Sequence, residues 1–186
     1  MNRSGTLTGL AAALLATTLC AAATACGLEG GMGDSLAAAH EGSLAVAFAA
    51  HDAISSGWLS PDTALDTQAA HERADERLRA FVAALPAAPR SMRAFAVLQV
   101  EAGVWTRVSA RAGRWSLATH VDGLHTDTTV LASGAALRDM VSGQLSADRA
   151  LSMGLLAVHG DTAARDRLLG LLRQAYPDAK ATTALR

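Results

Sequence analysis

The stretch Thr126–Ala175, TDTTVLASGAALRDMVSGQLSADRALSMGLLAVHGDTAARDRLLGLLRQA, decides the fold. It reads as a strand, two short helices, a second strand and a long helix. Asp127 to Ser133 is rich in β-branched residues and fits a strand. Ala135 to Ser142 follows as a short helix with Leu137, Met140 and Val141 turned inward and Gly143 as its stop. Ser146 is placed to cap a second short helix, Ala147 to Met153, with Gly154 behind it. Leu155 to Val158 is an apolar run of strand length. Gly160-Asp161-Thr162 then turns the chain into Ala163–Tyr176, the strongest helical pattern present. Its inward face is Leu168, Leu171, Leu172, Ala175 and Tyr176, and Pro177 ends it.

Working upstream, Val104 to Arg111 alternates. Trp105, Arg107, Ser109 and Arg111 fall on one side, and Val104, Thr106, Val108 and Ala110 on the other. The Ala112-Gly113 turn joins this strand to Trp115–Val121, a hairpin pattern. Ser91 to Glu101 reads as a further strand. Two helices precede the strands. In Ser43–Ser56, Leu44, Ala47, Phe48 and His51 recur at helical spacing and Ile54 continues the stripe, with Ser43 as cap and Gly57 as stop. His51 is expected at the core or its edge. The second helix is expected from Pro61 to Leu85. Its charged first half includes an Asp75–Arg79 pair, and its buried stripe is Leu78, Phe81, Val82 and Leu85.

Composition narrows the function. The chain has 186 residues, 51% hydrophobic but only 4% aromatic, so one helix-rich domain is expected. A formal net charge of −1 offers no basic surface for nucleic acid. Catalysis needs a nucleophile, a base and an orienting group together. The sequence has no nucleophile elbow, no HExxH and no CxxC, so a non-catalytic role is expected, without cofactor. His120 and His125 flank the Asp122-Gly123 turn near Asp127, and they read as loop histidines rather than metal ligands. The glycine-rich segment CGLEGGMGD, from Cys26 to Asp34, lacks the preceding strand that a phosphate-cradling loop requires.

The first 25 residues have the layout of a secretory signal peptide: a short polar start with Arg3, the apolar run LAAALLATTL, and Ala23-Thr24-Ala25 before Cys26. Export to the periplasm or cell envelope is the expectation. Cys26 is then the lone cysteine of the mature chain, so no internal disulfide is expected. Three readings of it stay open: a lipid-modified residue tethering the chain to a membrane, a free or mixed-disulfide thiol, or a metal ligand helped by His40. The lipobox pattern lacks its usual Leu three residues before the cysteine.

Residues 126–172 resemble the C-terminal half of the SCP2 sterol-carrier family. The resemblance is carried by TTVLASGAALRDMVSG, by QLSADRALSMG and by LLAVHGD before the final helix, with Ala147 where the family commonly has Pro. It covers residues 91–176. The resemblance implies an α+β fold, a mixed five-stranded sheet covered by helices, here preceded by two N-terminal helices. The expected division is a signal peptide (1–25), an N-terminal helical segment (26–90), an SCP2-like domain (91–178) and a C-terminal tail (179–186). It also implies an apolar tunnel for a lipid or other apolar small molecule. Leu137, Met140, Val141, Met153, Leu156, Leu168 and Leu172 are the candidate lining, and methionines adapt well to flexible chains. The same residues could instead close on one another as a filled core. An envelope scaffold with a filled fold, or a Cys26-based metal or thiol protein, are the alternatives.

Overall fold

The computed structural model of the chain describes residues 40–62, 67–92, 94–121 and 126–178. Cys26, the signal-peptide pattern, the Asp122-Gly123 turn and His125 lie outside the described residues. Two helices, α1 (Ser43–Ser55) and α2 (Thr67–Ala83), lead into strands β1 (Ala94–Gln99), β2 (Val104–Arg111), β3 (Arg114–Thr119) and β4 (Thr128–Ala132). Helices α3 (Gly134–Val141) and α4 (Ala147–Ser152), strand β5 (Leu156–Gly160) and helix α5 (Thr162–Ala175) follow. The strands form one mixed sheet in the order β3-β2-β1-β4-β5. The β1–β4 pair is parallel, and the other three pairs are antiparallel.

Local chemistry accounts for the joints. Ala112 and Gly113 both have positive φ, 50° and 76°, between the paired Arg111 and Arg114. That is the two-residue hairpin turn whose twist matches the strands it joins. Ser133 accepts a hydrogen bond from Ala136 N and caps α3, and Ser146 accepts from Arg149 N and caps α4. Asp161 accepts from Ala163 N and Ala164 N, which satisfies two of the orphan donors that open α5.

The main core fills the space between one sheet face and α2, α3 and α5. Phe95, Val97, Val108 and Val130 of the sheet meet Leu78 and Phe81 of α2, Leu137 and Met140 of α3, and Leu168 and Leu172 of α5. The N-terminal half of α1 covers the other face, where Val46 packs with Leu98, Val100 and Leu131. Strand β1 is consequently buried on both faces, and Phe95–Gln99 read as a continuous buried run rather than an alternation.

Three expectations about the first helices are corrected. In α1 the buried residues are Ser43, Val46, Ala50 and Ala53, while Leu44, Phe48 and His51 are exposed. The helix is apolar nearly all round, so periodicity does not set its phase. Its alanines do, by allowing close approach: a methyl group placed on Gly154 would sit 3.3 Å from Ala49 Cβ. The cap of α1 is Gly42 at φ 95°, not Ser43, whose hydroxyl instead accepts from His40 N at 3.1 Å. Finally, α2 begins at Thr67 and not at Pro61. Asp62 directs its carboxylate to Arg77, a residue of the helix it was expected to open.

Candidate functional site

The seven residues expected to face a ligand divide in two. Leu137, Met140, Leu156, Leu168 and Leu172 are buried together in the main core, and Met153 packs against its margin. Val141 was expected inward and is instead 42% exposed, at the last turn of α3. The eight-residue helix buries Gly134–Leu137, Asp139 and Met140, leaving its final residue beyond the covered face. Val141 and Met140 line a surface depression of about 390 Å³ together with Ala84, Leu145, Ala175 and Tyr176. It lies where the C-terminal ends of α2, α3 and α5 converge, and its lining is mostly apolar. Met140, Leu145 and Tyr176 belong to both the depression and the core, so the floor of the depression is the packed interior itself. Tyr176 walls it with its hydroxyl already engaged, donating to Phe81 O at 2.6 Å.

A polar constellation occupies the other end of the α2–α3 pair, where the parallel strands β1 and β4 finish. The C-terminal edge of parallel strands, at a helix N-terminus, is the place where open α/β sheets gather ligands. Four separate segments contribute: residues 60–62, α2, the end of β1 and α3. Arg77 of α2 donates both ends of its guanidinium to Asp62, at 2.7 Å and 2.8 Å. Arg138 of α3 donates to the same carboxylate at 3.0 Å, to Ser60 O at 2.9 Å and to Asp139 at 2.8 Å. Glu101, just past β1, accepts the hydrogen bond of Gly134 N at the start of α3, at 2.8 Å. The Gln99 side chain reaches the same spot, and its Oε1 is buried without a partner.

Electrostatics follow from this crowding. Loss of water around the Glu101 carboxyl raises its pKa above the ordinary glutamate range, and Asp62 adds to the rise. The bond from Gly134 N and the charge of Arg77 oppose it without reversing it. Glu101 as a residue is exposed, but its carboxyl end points into the packed junction, and the environment of that end sets the direction. Gly134 is essential to the packing: a methyl group there would come within 2.7 Å of Gln99 Nε2 and 2.9 Å of Arg77 Nη1.

Sequence reasoning passed over this constellation. Asp62, Arg77, Gln99, Glu101 and Arg138 lie in no motif. Arg77 falls in the charged half of α2, and Gln99 within the Ser91–Glu101 strand pattern. The usable signal was a polar Gln near the end of an otherwise apolar strand, AFAVLQ. Among the described residues, no group of three or more His, Cys, Asp or Glu side chains is arranged to hold a metal. No helix among them is long and apolar enough to cross a membrane.

No family model and no curated protein matches the chain. Several solved structures do. The crystal structure of Sterol Carrier Protein 2 Like 2 from Aedes aegypti is 19% identical, with 56% of this chain and 97% of that one aligned at a TM-score of 0.41. The UbiJ-SCP2 ubiquinone synthesis protein is 16% identical over 53% of this chain and 79% of that one, at a TM-score of 0.34. The sec-alkylsulfatase Pisa1 from Pseudomonas sp. is 16% identical over 50% of this chain, at a TM-score of 0.36. The matched part spans only 14% of that longer enzyme. The solved structures to which the chain is similar thus include SCP2 sterol carrier domains and SCP2-like proteins.

Proposed function

We propose that this chain is an exported, non-catalytic binding module for a lipid or other apolar small molecule, working in the periplasm or cell envelope. The observation that carries the binding reading is the depression at the C-terminal ends of α2, α3 and α5. Its volume of about 390 Å³ falls within the ordinary range for small-molecule pockets. Val141, Met140, Leu145 and Ala84 offer it apolar surface, and the flexible Met140 side chain stands between it and the core. A ligand enters there at the margin of the core and reaches Leu137, Leu168 and Leu172 only as Met140 gives way.

The non-catalytic part rests on chemistry. Ser55 Oγ and His51 Nε2 approach to 3.5 Å on the exposed face of α1, too long and too wet for an activated nucleophile. Export rests on the leader pattern alone, and Cys26 is its tether when lipidated.

Two measurements test the reading. Displacement of a fluorescent fatty acid from the purified protein by dodecanol reads apolar binding, and no binding of either probe sinks it. The intact mass of the protein recovered from bacterial envelopes reads cleavage before Cys26 and any acyl chains on it. A full-length, unmodified mass would overturn the export reading.

A further inference from the structure

We propose that Arg77, beside the N-terminus of α3, and Arg138, in the last turn of that helix, form a binding site for a carboxylate, that the chain's own Asp62 occupies it, and that an incoming carboxylate takes Asp62's place. The site stands on different residues from the apolar depression and does not depend on it.

Asp62 sits as a bound ligand would. The Arg77 fork meets both of its oxygens, and Arg138 adds a third bond. Paired, parallel N–H donors matched to a planar carboxylate are the most specific form of this contact. Yet the residue bringing the carboxylate is 39% exposed and lies in a stretch without regular structure. At that exposure the Asp62 carboxylate is open to water and to a competing anion.

The receiving groups, by contrast, are built in. Arg77 is only 14% exposed and is set on a helix against Gly134, where even a methyl group would crowd it. Arg138 is braced by Asp139 through Nε, which leaves Nη1 pointing at the shared carboxylate. When Asp62 leaves, the Arg77 fork and Arg138 Nη1 lose the carboxylate they share, and an incoming carboxylate restores those bonds.

A second observation, independent of the ion pairs, points to a ligand. Gln99 is 2% exposed, its amide lies beside Gly134, and its Oε1 accepts no hydrogen bond. A buried acceptor without a partner is costly. A hydroxyl or N–H next to the ligand carboxylate would satisfy it.

The same chemistry arises from a free small acid or from the head of a long acyl chain. Calorimetric titration of the full chain separates them, using sodium butanoate, sodium dodecanoate and dodecanol against wild type, Asp62→Ala, Asp62→Asn and Asp62→Ala with Arg77→Gln. Asp62→Ala should tighten carboxylate binding by roughly tenfold or more, and the added Arg77→Gln should erase that gain. A gain for both acids assigns the site to small carboxylates. A gain for dodecanoate alone assigns it to the head of an acyl ligand. An unchanged affinity for both acids in a folded Asp62→Ala protein overturns the proposal. Should that variant fail to fold, the near-isosteric Asp62→Asn decides in the same direction, and no gain there overturns the proposal equally. Dodecanol should be indifferent to these changes. Its failure to bind wild type would remove the apolar reading and leave the carboxylate site standing.

Discussion

The hydroxyl of Tyr176 donates to the carbonyl of Phe81 at 2.6 Å, while the two rings stack 5.3 Å apart and within 5° of parallel. Phe81 lies in the last turn of α2, where backbone carbonyls have no partner within the helix. Tyr176, just beyond α5, supplies that partner and joins the two helices at the rim of the apolar depression. Tyr176→Phe should keep the stacking and lose the bond. The expected cost is about 1–2 kcal/mol at neutral pH, read by urea unfolding. Burial also pushes the Tyr176 pKa far above the ordinary tyrosine value. A raised pKa gives stability that is complete below the unfolded value and is lost as pH rises through the folded one. Wild type should therefore weaken above about pH 10, and the variant should lack that part of the decline.

At Gly134 the prediction is steric. Its φ is unexceptional, so alanine meets no backbone penalty there, but the new methyl would lie 2.7 Å from Gln99 Nε2 and 2.9 Å from Arg77 Nη1. Both side chains have to give way in a crowded junction. Gly134→Ala should cost about 1–3 kcal/mol in chemical unfolding, as overpacking does. Arg77→Ala combined with it should recover part of the loss. Strict additivity of the two changes would show that they do not share the space.

Much of this fold was legible because its joints use local chemistry. The Ala112-Gly113 hairpin, the Ser146 cap, the Asp161 cap and the Leu168–Leu172 face each announce themselves within a few residues, and each is present. Leu78, Phe81, Val82 and Leu85 are buried as their spacing requires, and Asp75 pairs with Arg79 at 3.5 Å. The phase of α1 was not legible, because a helix rich in alanine carries apolar residues on every side and tertiary contact chooses among them. The polar constellation was hidden for another reason. Asp62 and Arg138 lie 76 positions apart and meet only once β4 has inserted beside β1. No local pattern records such a meeting.

Glu101 offers a test of pH. Its raised pKa, caused first by loss of water, means that the charged form is less welcome in the folded protein than in the unfolded chain. Its contribution to stability is thus complete below the ordinary glutamate range and is lost as pH rises through the raised value. Glu101→Gln keeps an acceptor for Gly134 N and removes the titration. The variant should be more stable than wild type at neutral pH, and the difference should close at about pH 4. Thermal midpoints across that range would check it. A variant weaker than wild type at neutral pH would show that the charge at the α3 N-terminus outweighs desolvation.

His159 carries the opposite sign. It lies on β5 with its ring 5.0 Å from that of His40, and a methyl group on Gly42 would sit 3.1 Å from its Nε2. Loss of water, then the neighbouring His40, lowers its pKa, and Glu41 opposes this. A lowered pKa gives stability that is complete above the ordinary histidine value and is lost as pH falls through the folded one. Wild type should lose thermal stability between about pH 7 and pH 5, and His159→Gln should lose less. Because His40 also lies 6.2 Å from Trp105, the Trp105 fluorescence should report the loosening of this corner as His159 charges.

Val141 separates ligand binding from stability. It is 42% exposed and ends α3, so its side chain contributes little to the core. Exposed substitutions usually change stability by no more than about 0.5 kcal/mol. In the depression, however, Val141 lies beside Met140 and Leu145. A carboxylate at this point would place a charge against any apolar ligand and repel an acyl chain that cannot solvate it. Val141→Glu should therefore weaken binding of a fluorescent fatty acid by roughly tenfold, with an unfolding midpoint close to wild type. Val141→Leu, which adds apolar surface, should bind at least as well as wild type. If Val141→Glu bound the probe unchanged, the ligand would have to enter elsewhere, and the depression at the ends of α2, α3 and α5 would be no more than a surface feature.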